Sequence, residues 1–393
     1  MSSSVIGIDD LAMATGGFRI DLADIAERLG ADPAKYYRGL GQTEMSVVAE
    51  DEDIVTLGAA AALPVVERAG RERIRTLLFA TETGIDQSKS AGVYAHRLLG
   101  LPPNVRVVEL KQACYSATAA MQFAAALVAR NPAEKVLVIA SDIARYELGS
   151  TAEPTQGAGA AAFTVSADPA LLALEPAAGV FTEDVMDFWR PNHRVTAIVD
   201  GHSSISAYLD AVAGAFDDYR AQGGSAFEAI NRFCYHQPFT KMAAKAHQYL
   251  AKHAGADVPT ETLTAQVAPT MGYNRRIGNS YTASVYLALL ALLDDPADLT
   301  GERVAIASYG SGAVAEFLTG TVMSGYRAQI RNGTNEQILA DRPRIDDNTY
   351  LARQRIMPRS DPSNYGNRHE TRGPFRFAGV REDQRIYEAT APR

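Results

Sequence analysis

Cys114 lies in the run Lys111-Gln112-Ala113-Cys114-Tyr115-Ser116-Ala117-Thr118-Ala119-Ala120, after a predicted strand from Val105 to Leu110 and before an Ala-rich amphipathic run from Met121 to Arg130. A thiol at the start of a helix faces unpaired backbone N–H groups and the positive end of the helix dipole. Both favour the thiolate, the nucleophilic form. The small residues around it let a substrate come close. A buried core cysteine would suit the same position, because free cysteine is among the most buried residue types. The company that Cys114 keeps decides between the two.

That company is a duplicated chain. In a first stretch, a predicted strand Arg75–Ala80 ends in Thr81-Glu82-Thr83-Gly84. Another strand follows, then Cys114 opening a helix, then a strand Lys135–Asp142 and a Gly/Ala-rich strand Gly157–Val165. In a second stretch, Ile230–Tyr235 ends at His236-Gln237-Pro238, and Ile277-Gly278-Asn279-Ser280 opens the run Tyr281–Leu293. Arg303–Tyr309 and Gly310–Leu318 then close the unit. Cys114 precedes Val136 by 22 positions and Ser280 precedes Val304 by 24, a match that supports internal duplication. Short β-branched runs alternating with helical patterns predict an α/β fold with largely parallel sheets. Duplication then puts Glu82 and His236 at equivalent strand ends, and Cys114 and Asn279 at equivalent helix starts. Loops at strand ends are where α/β proteins build sites, so all four residues are expected to meet in one cleft between the halves. The halves are expected to span residues 1–170 and 171–393, with an irregular Arg-rich extension from about residue 327 that wraps the surface and is partly helical from Asn335 to Arg342.

Composition narrows the function classes. The chain has 393 residues, 47% hydrophobic and 21% charged, which is ordinary for a globular protein with a large core. There is no apolar run of about 18 residues to span a membrane, and the N-terminus lacks the basic and apolar stretches of a signal peptide. Two cysteines, Cys114 and Cys234, make no disulfide framework; a cytoplasmic protein is expected. A net charge of −8 gives no general attraction to nucleic acid. The histidines have no metal-ligand spacing, so no catalytic metal is expected. Gly310-Ser311-Gly312-Ala313-Val314-Ala315 fits a dinucleotide fingerprint, but a strand rather than a helix follows it, and nicotinamide binding is rejected. Cys234, inside an apolar strand, is expected to be inert packing.

The chain resembles the 3-hydroxy-3-methylglutaryl-coenzyme A synthase family from Ile6 to about Tyr326, and more loosely beyond. The matching motifs occur in the family's order: Gly39-Leu40-Gly41-Gln42, Thr81–Asp86, Ala113–Ala120, Ser141–Ala144, Pro154–Gly159, Met186-Asp187-Phe188-Trp189-Arg190-Pro191, Val199–Gly201, Tyr235–Lys241, Gly278–Ser284 and Ser308–Gly312. The resemblance implies a thiolase-like fold, two similar halves stacked in five α-β-α-β-α layers, in a homodimer. It implies condensation of acetyl-CoA with acetoacetyl-CoA and water, an acyltransferase reaction of the mevalonate pathway and isoprenoid biosynthesis. Coenzyme A thioesters would be substrates and no further cofactor is implied. Cys114 would carry the acetyl group, Glu82 would be the base for the methyl C–H, with its pKa raised in an apolar cleft, and His236 would activate the acceptor ketone as a hydrogen-bond or proton donor. Asn279 would orient the acceptor thioester, and it is also placed to cap the helix after it. Backbone N–H groups at Cys114 and near Ser311 are candidates for an oxyanion hole. Thr155, Ser204 and Ser311 would contact the acyl product, and Asp32-Pro33 the coenzyme. Lys241 and Lys245, four apart on one helix face, would meet coenzyme A phosphates.

Three other readings compete, one of them a catalytically dead thiolase-fold subunit serving as a binding partner, which would require loss of Cys114, Glu82 or His236, all present here. Family members that install β-branches on polyketides use acyl carrier proteins with the same catalytic residues, and Ser116, where many relatives are expected to have a smaller residue, puts acyl specificity in question. A chain-initiating ketoacyl synthase would use Cys, His and Asn, but needs no C–H base such as Glu82.

Overall fold

The computed structural model describes residues 5–356 and 363–390; Met1–Ser4, part of the stretch on which the signal-peptide reading rests, lie outside them. Its centre is a nine-stranded sheet. The first half contributes β1 (Gly7–Thr15), β2 (Ile74–Ala80), β3 (Arg106–Leu110), β4 (Lys135–Ile143) and β5 (Ala158–Ser166), and the second contributes β6 (Leu172–Thr182), β7 (Arg232–Tyr235), β8 (Arg303–Gly310) and β9 (Val314–Val322). The order across the sheet is β7-β8-β9-β6-β1-β5-β4-β2-β3. Outward from the β1/β6 junction, where Gly7 pairs with Ala173 and Ile8 with Leu172, both halves repeat one pattern. Two antiparallel pairings are followed by a parallel one. β3 has no counterpart in the second half. The sheet is therefore mixed and mostly antiparallel, which corrects the expectation of largely parallel sheets. The cause is local: β8 and β9 are joined by only three residues, too short for the crossover that a parallel pair requires.

Helices make the other layers. On the outer face of the first half lie α1 (Ile54–Ala69), started by a capping box between Asp53 and Thr56, and α2 (Ala91–Leu98). Between the halves lie α3 (Ser116–Arg130) and, after α4 (Gly201–Ala221) and α5 (Met242–His253) on the outer face of the second half, α6 (Ser284–Leu293). α6 reads SVYLALLALL, and all ten of its residues are buried. A helix apolar on every side must sit inside. Strand alternation feeds the layers: Val136, Val138 and Ala140 face α3 and α6, whereas Leu137 and Ile139 face α1. In β8, Val304 and Ile306 face inward, and Ala305 and Ala307 face α4 and α5. The five layers are those of a thiolase-like fold.

The extension is more ordered than its composition suggests. It forms α7 (Asn332–Ala340, three residues earlier than expected), α8 (Asp347–Ile356), and a hairpin of β10 (Phe375–Arg381) and β11 (Gln384–Ala389). The hairpin packs Phe375, Phe377 and Tyr387 against α1 and α2 of the first half. The arginines fasten it to buried acids there: Arg331 to Asp10, Arg342 to Glu44 and Arg376 to Asp51. A guanidinium can grip a carboxylate with two N–H groups, as Arg331 does at Asp10, which a lysine cannot do. Among the described residues no helix is long and apolar enough to cross a membrane.

β6 meets α4 at a glycine. A Cβ on Gly179 would lie 1.9 Å from the Tyr219 nitrogen and 2.2 Å from the Ala215 oxygen, both rigid backbone atoms. Gly179→Ala is expected to force the helix off the sheet and to cost roughly 1–3 kcal/mol, read as a lower midpoint in urea unfolding. An unchanged midpoint would show that the two elements are looser than this packing.

Candidate active site

All four converging residues are positioned by strand ends and tight turns. Cys114 sits in a turn ahead of α3 in which Ala113 holds a positive φ of 44°, a conformation uncommon for a residue with a side chain. Ser116 fixes that turn, donating from Oγ to the Ala113 carbonyl (2.9 Å) and accepting from the Gln112 N–H (2.5 Å). It is buried and is not part of the acyl cavity wall. Its hydroxyl braces the turn that carries Cys114.

Glu82 follows β2, and its turn is organised by Asp142 at the end of β4. Asp142 Oδ1 accepts from the Thr81 hydroxyl (2.7 Å), the Glu82 and Thr83 N–H groups (both 3.0 Å) and the Thr83 hydroxyl (2.6 Å). Its Oδ2 accepts from the Thr282 N–H (3.1 Å) and hydroxyl (2.5 Å), which belong to the other half. The Asp142 motif was visible in the sequence without a role; an acid ending a buried strand was the signal.

The Cys114 thiol donates to Glu82 Oε2 at 3.1 Å. Burial, then the nearby Asp142 charge, push the Glu82 carboxyl up from 4.5 to about 8, against the smaller opposing effects of the Cys114 hydrogen bond and the Arg190 charge. Burial, then Glu82 as charge and hydrogen-bond acceptor, push the Cys114 thiol well above its ordinary value. The expected thiolate is thus corrected. The carboxylate and the loss of water outweigh the helix terminus, and the resting pair holds its protons. At 3.1 Å, Cys114 is placed to hand its proton to Glu82 rather than to stand ionised.

His236 ends β7. Its N–H donates to the Ala307 carbonyl at 3.0 Å and its carbonyl accepts from the Tyr208 hydroxyl at 2.8 Å, while Nδ1 meets no partner among the described residues. Burial lowers its pKa from 6.5 to about 3. It is neutral at physiological pH, so the arrangement favours hydrogen-bond donation by imidazole over proton transfer from imidazolium.

Asn279 follows Gly278, whose φ of +85° and close approach to the Gln156 carbonyl leave no space for a Cβ. Asn279 Oδ1 accepts from the Tyr281 N–H (2.9 Å), capping the short turn before α6, and Nδ2 donates to the Tyr146 hydroxyl (3.0 Å). Tyr146 and Tyr281 were not singled out in the sequence. They meet edge to face with ring centroids 6.4 Å apart, and both border the cavity.

That cavity, about 200 Å³, is lined by Cys114, His236, Asn279, Thr155, Ser204 and Ser311 together with apolar and aromatic side chains. Glu82 touches Cys114 from behind it and opens instead on a second cavity. The amide of Gly312, next to Ser311, donates to Asp187 Oδ1 at 2.9 Å, so among amides near Ser311 that one is already engaged. Lys241 and Lys245 are exposed at the start of α5. The Lys241 backbone N–H donates to the carbonyl of Leu40, which lines the cavity, its ammonium donates to the Arg38 carbonyl, and Lys245 lies over Phe239, another cavity residue. Both lysines thus flank the mouth. Asp32 and Pro33 cap the turn that leads into 35–40, Asp32 Oδ1 accepting from the Ala34 N–H at 2.8 Å. Among the described residues no cluster of His, Cys, Asp and Glu could hold a metal ion. Cys234 is fully buried and unbridged.

The pair's protons give a direct test. Alkylation of Cys114 by iodoacetamide should rise with pH along a limb near 8, as Glu82 becomes able to accept the thiol proton. The Arg190 charge lowers the Glu82 pKa, so Arg190→Met should move that limb to higher pH and Arg190→Lys should largely restore it. A limb unmoved by loss of the charge would remove Arg190 from the electrostatics of Glu82.

Comparison with known proteins places most of the chain. Residues 3–170 match the hydroxymethylglutaryl-coenzyme A synthase N-terminal family, and residues 172–254 and 249–355 the C-terminal family. The hydroxymethylglutaryl-CoA synthase of Enterococcus faecalis is 40% identical over 349 residues, 88% of this chain and 91% of that protein. The polyketide biosynthesis 3-hydroxy-3-methylglutaryl-ACP synthase PksG of Bacillus subtilis is 34% identical, covering 84% of each. Among solved structures, MvaS in complex with 3-hydroxy-3-methylglutaryl coenzyme A aligns with a TM-score of 0.90 at 38% identity, over 98% of this chain and 99% of that one. The curacin pathway HMG synthase in complex with its acetyl donor-ACP aligns at 0.92 and 30% identity, over 98% of this chain and 100% of that one.

Proposed function

The chain belongs to the hydroxymethylglutaryl-coenzyme A synthase family, and from that premise we propose that it joins acetyl-CoA, acetoacetyl-CoA and water into 3-hydroxy-3-methylglutaryl-CoA. The observation that carries the reading is the 3.1 Å contact between the Cys114 thiol and Glu82 behind a cavity that also holds His236 and Asn279. Cys114 attacks the acetyl thioester as Glu82 takes its proton, and the acetyl group passes to sulfur while Glu82 returns the proton to the leaving coenzyme A thiol. Glu82, once ionised again, removes a methyl proton. The carbanion adds to the acceptor ketone, whose developing oxyanion is stabilised by the neutral His236 imidazole and takes up the proton that Glu82 then releases. Asn279 orients the acceptor, and Thr155, Ser204 and Ser311 shape the acyl space. Water then frees the product from Cys114. Lys241 and Lys245 meet the coenzyme's phosphates at the mouth, with Asp32 and Pro33 beside them.

This makes the chain an acyltransferase, which we place in the mevalonate pathway and in the cytoplasm. The 40% identity to an enzyme named for a CoA product and the exposed lysine pair support free coenzyme A as carrier. The equally close fold of a synthase solved with a donor carrier protein keeps the carrier-protein reading as the alternative. A homodimer fits the outer edge of the sheet, where β3 leaves one side unpaired and Val108, with Phe123 of α3, is exposed.

Intact-mass analysis after incubation with acetyl-CoA alone should find one acetyl group on the protein, absent in Cys114→Ser. Glu82→Ala should lose about two to four powers of ten in condensation; slow acetylation alone in that variant would confine its role to the thiol. Lys241→Ala/Lys245→Ala should raise KM for acetoacetyl-CoA with little change in kcat, because a phosphate contact is equal in ground and transition states. The effect should fade as salt rises and vanish for an acceptor lacking the nucleotide. An equal loss with the short acceptor, or a preference for acetyl-carrier protein over acetyl-CoA, would overturn the coenzyme reading.

A further inference from the structure

Glu82 divides two spaces. Cys114 borders the acyl cavity and is 6% exposed, whereas Glu82 keeps part of its surface accessible and borders a second cavity of about 580 Å³ on its far side. Polar groups line that second space: Arg190, whose Nη2 donates to the Glu82 carbonyl at 3.0 Å, together with Arg145, Asn192 and Arg385. A liquid-like water takes roughly 30 Å³ and needs two to four polar partners. The second cavity, nearly three times the volume of the first, offers room and partners for many waters.

We propose that the second cavity supplies the water that hydrolyses the Cys114 thioester, and that the water reaches the thioester by way of the Glu82 carboxylate, which borders that cavity and touches the sulfur. The inference rests on the reading of Cys114 as the acyl carrier. With Oε2 3.1 Å from the sulfur, the Glu82 carboxylate can hold a water within reach of a Cys114 thioester. Its oxygen bonds to the carbonyl carbon as Glu82 takes one of its protons. The C–S bond then breaks, Glu82 returns the proton to the sulfur, and the acyl group leaves as a carboxylic acid that ionises in solvent. The route separates hydrolysis from condensation, since the water need not pass the coenzyme arm.

Val195 and Asn192 line the second cavity from the loop after Pro191, and Val195 is 53% exposed, so larger side chains there narrow the space without entering the core. Val195→Trp and Asn192→Trp, singly and together, should acquire the acetyl group from acetyl-CoA at the wild-type rate, which also reports a folded site. The acetyl-enzyme should persist at least ten-fold longer than in wild type when no acceptor is present. With acetoacetyl-CoA added, intact mass should show a protein carrying the acetyl group plus acetoacetyl-CoA, the condensed but unhydrolysed intermediate. Lifetimes within two-fold of wild type in all three variants would overturn the proposal and bring the water along the acyl cavity. Failure of wild-type Cys114 to acquire any acetyl group would instead overturn the reading on which it rests.

Discussion

One buried carboxylate holds the site together. Asp142 collects six hydrogen bonds, four from the Thr81–Thr83 turn of the first half and two from Thr282 of the second. Removing an acceptor of this kind strands several buried donors at once, each costing about 1–3 kcal/mol. It also fixes where the base can be. The turn that Asp142 shapes presents Glu82 to the sulfur, and the Thr282 that it anchors follows Tyr281 and Asn279. A single side chain thereby sets the register between the turn of Glu82 and the Asn279–Thr282 segment, across the junction of two halves that share only a short pairing of β1 with β6.

Duplication explains how two halves build one site without sharing its chemistry. Glu82 and His236 leave equivalent strands, β2 and β7, which pair in parallel with β4 and β8. Cys114 and Asn279 precede α3 and α6, the two helices of the middle layer. The scaffold repeats; the side chains at its strand ends do not. The halves also differ at the rim, where the first extends to β3 and the second stops at β7.

Much of this was legible in the chain. The Cys114, Glu82, His236 and Asn279 positions followed from the repeat, because strand ends and helix starts recur at similar spacing. The strand directions did not follow, since alternating β and α patterns do not reveal that Gly310 and Val314 close a hairpin of three residues. The hairpin Phe375–Ala389 was also hidden: its Arg-rich strands read as surface, yet Phe375, Phe377 and Tyr387 bury against the distant helices α1 and α2. Asp142 was seen only as part of a motif, because its six donors come from residues that are adjacent only once the chain has folded. The thiolate expectation failed for a related reason. The helix terminus is a local property, whereas burial and a neighbouring carboxylate are tertiary ones, and the tertiary effects are larger.

Burial acts in opposite directions on Glu82 and His236. It raises the acid Glu82 to about 8 and lowers the base His236 to about 3. Near neutral pH both are mostly uncharged, and the thiol between them keeps its proton. The cleft therefore avoids holding an ion pair out of water, which would cost several kcal/mol per ion before any attraction is counted. A carboxyl poised near ambient pH exchanges protons in either direction with little driving force lost, which suits a group asked to take a proton from a thiol and then from a carbon. A histidine that stays neutral can polarise a ketone by hydrogen bonding without first placing a positive charge beside Glu82. The same desolvation that makes Cys114 a poor free nucleophile makes Glu82 basic enough to activate it, so the two shifts are one property of the cleft.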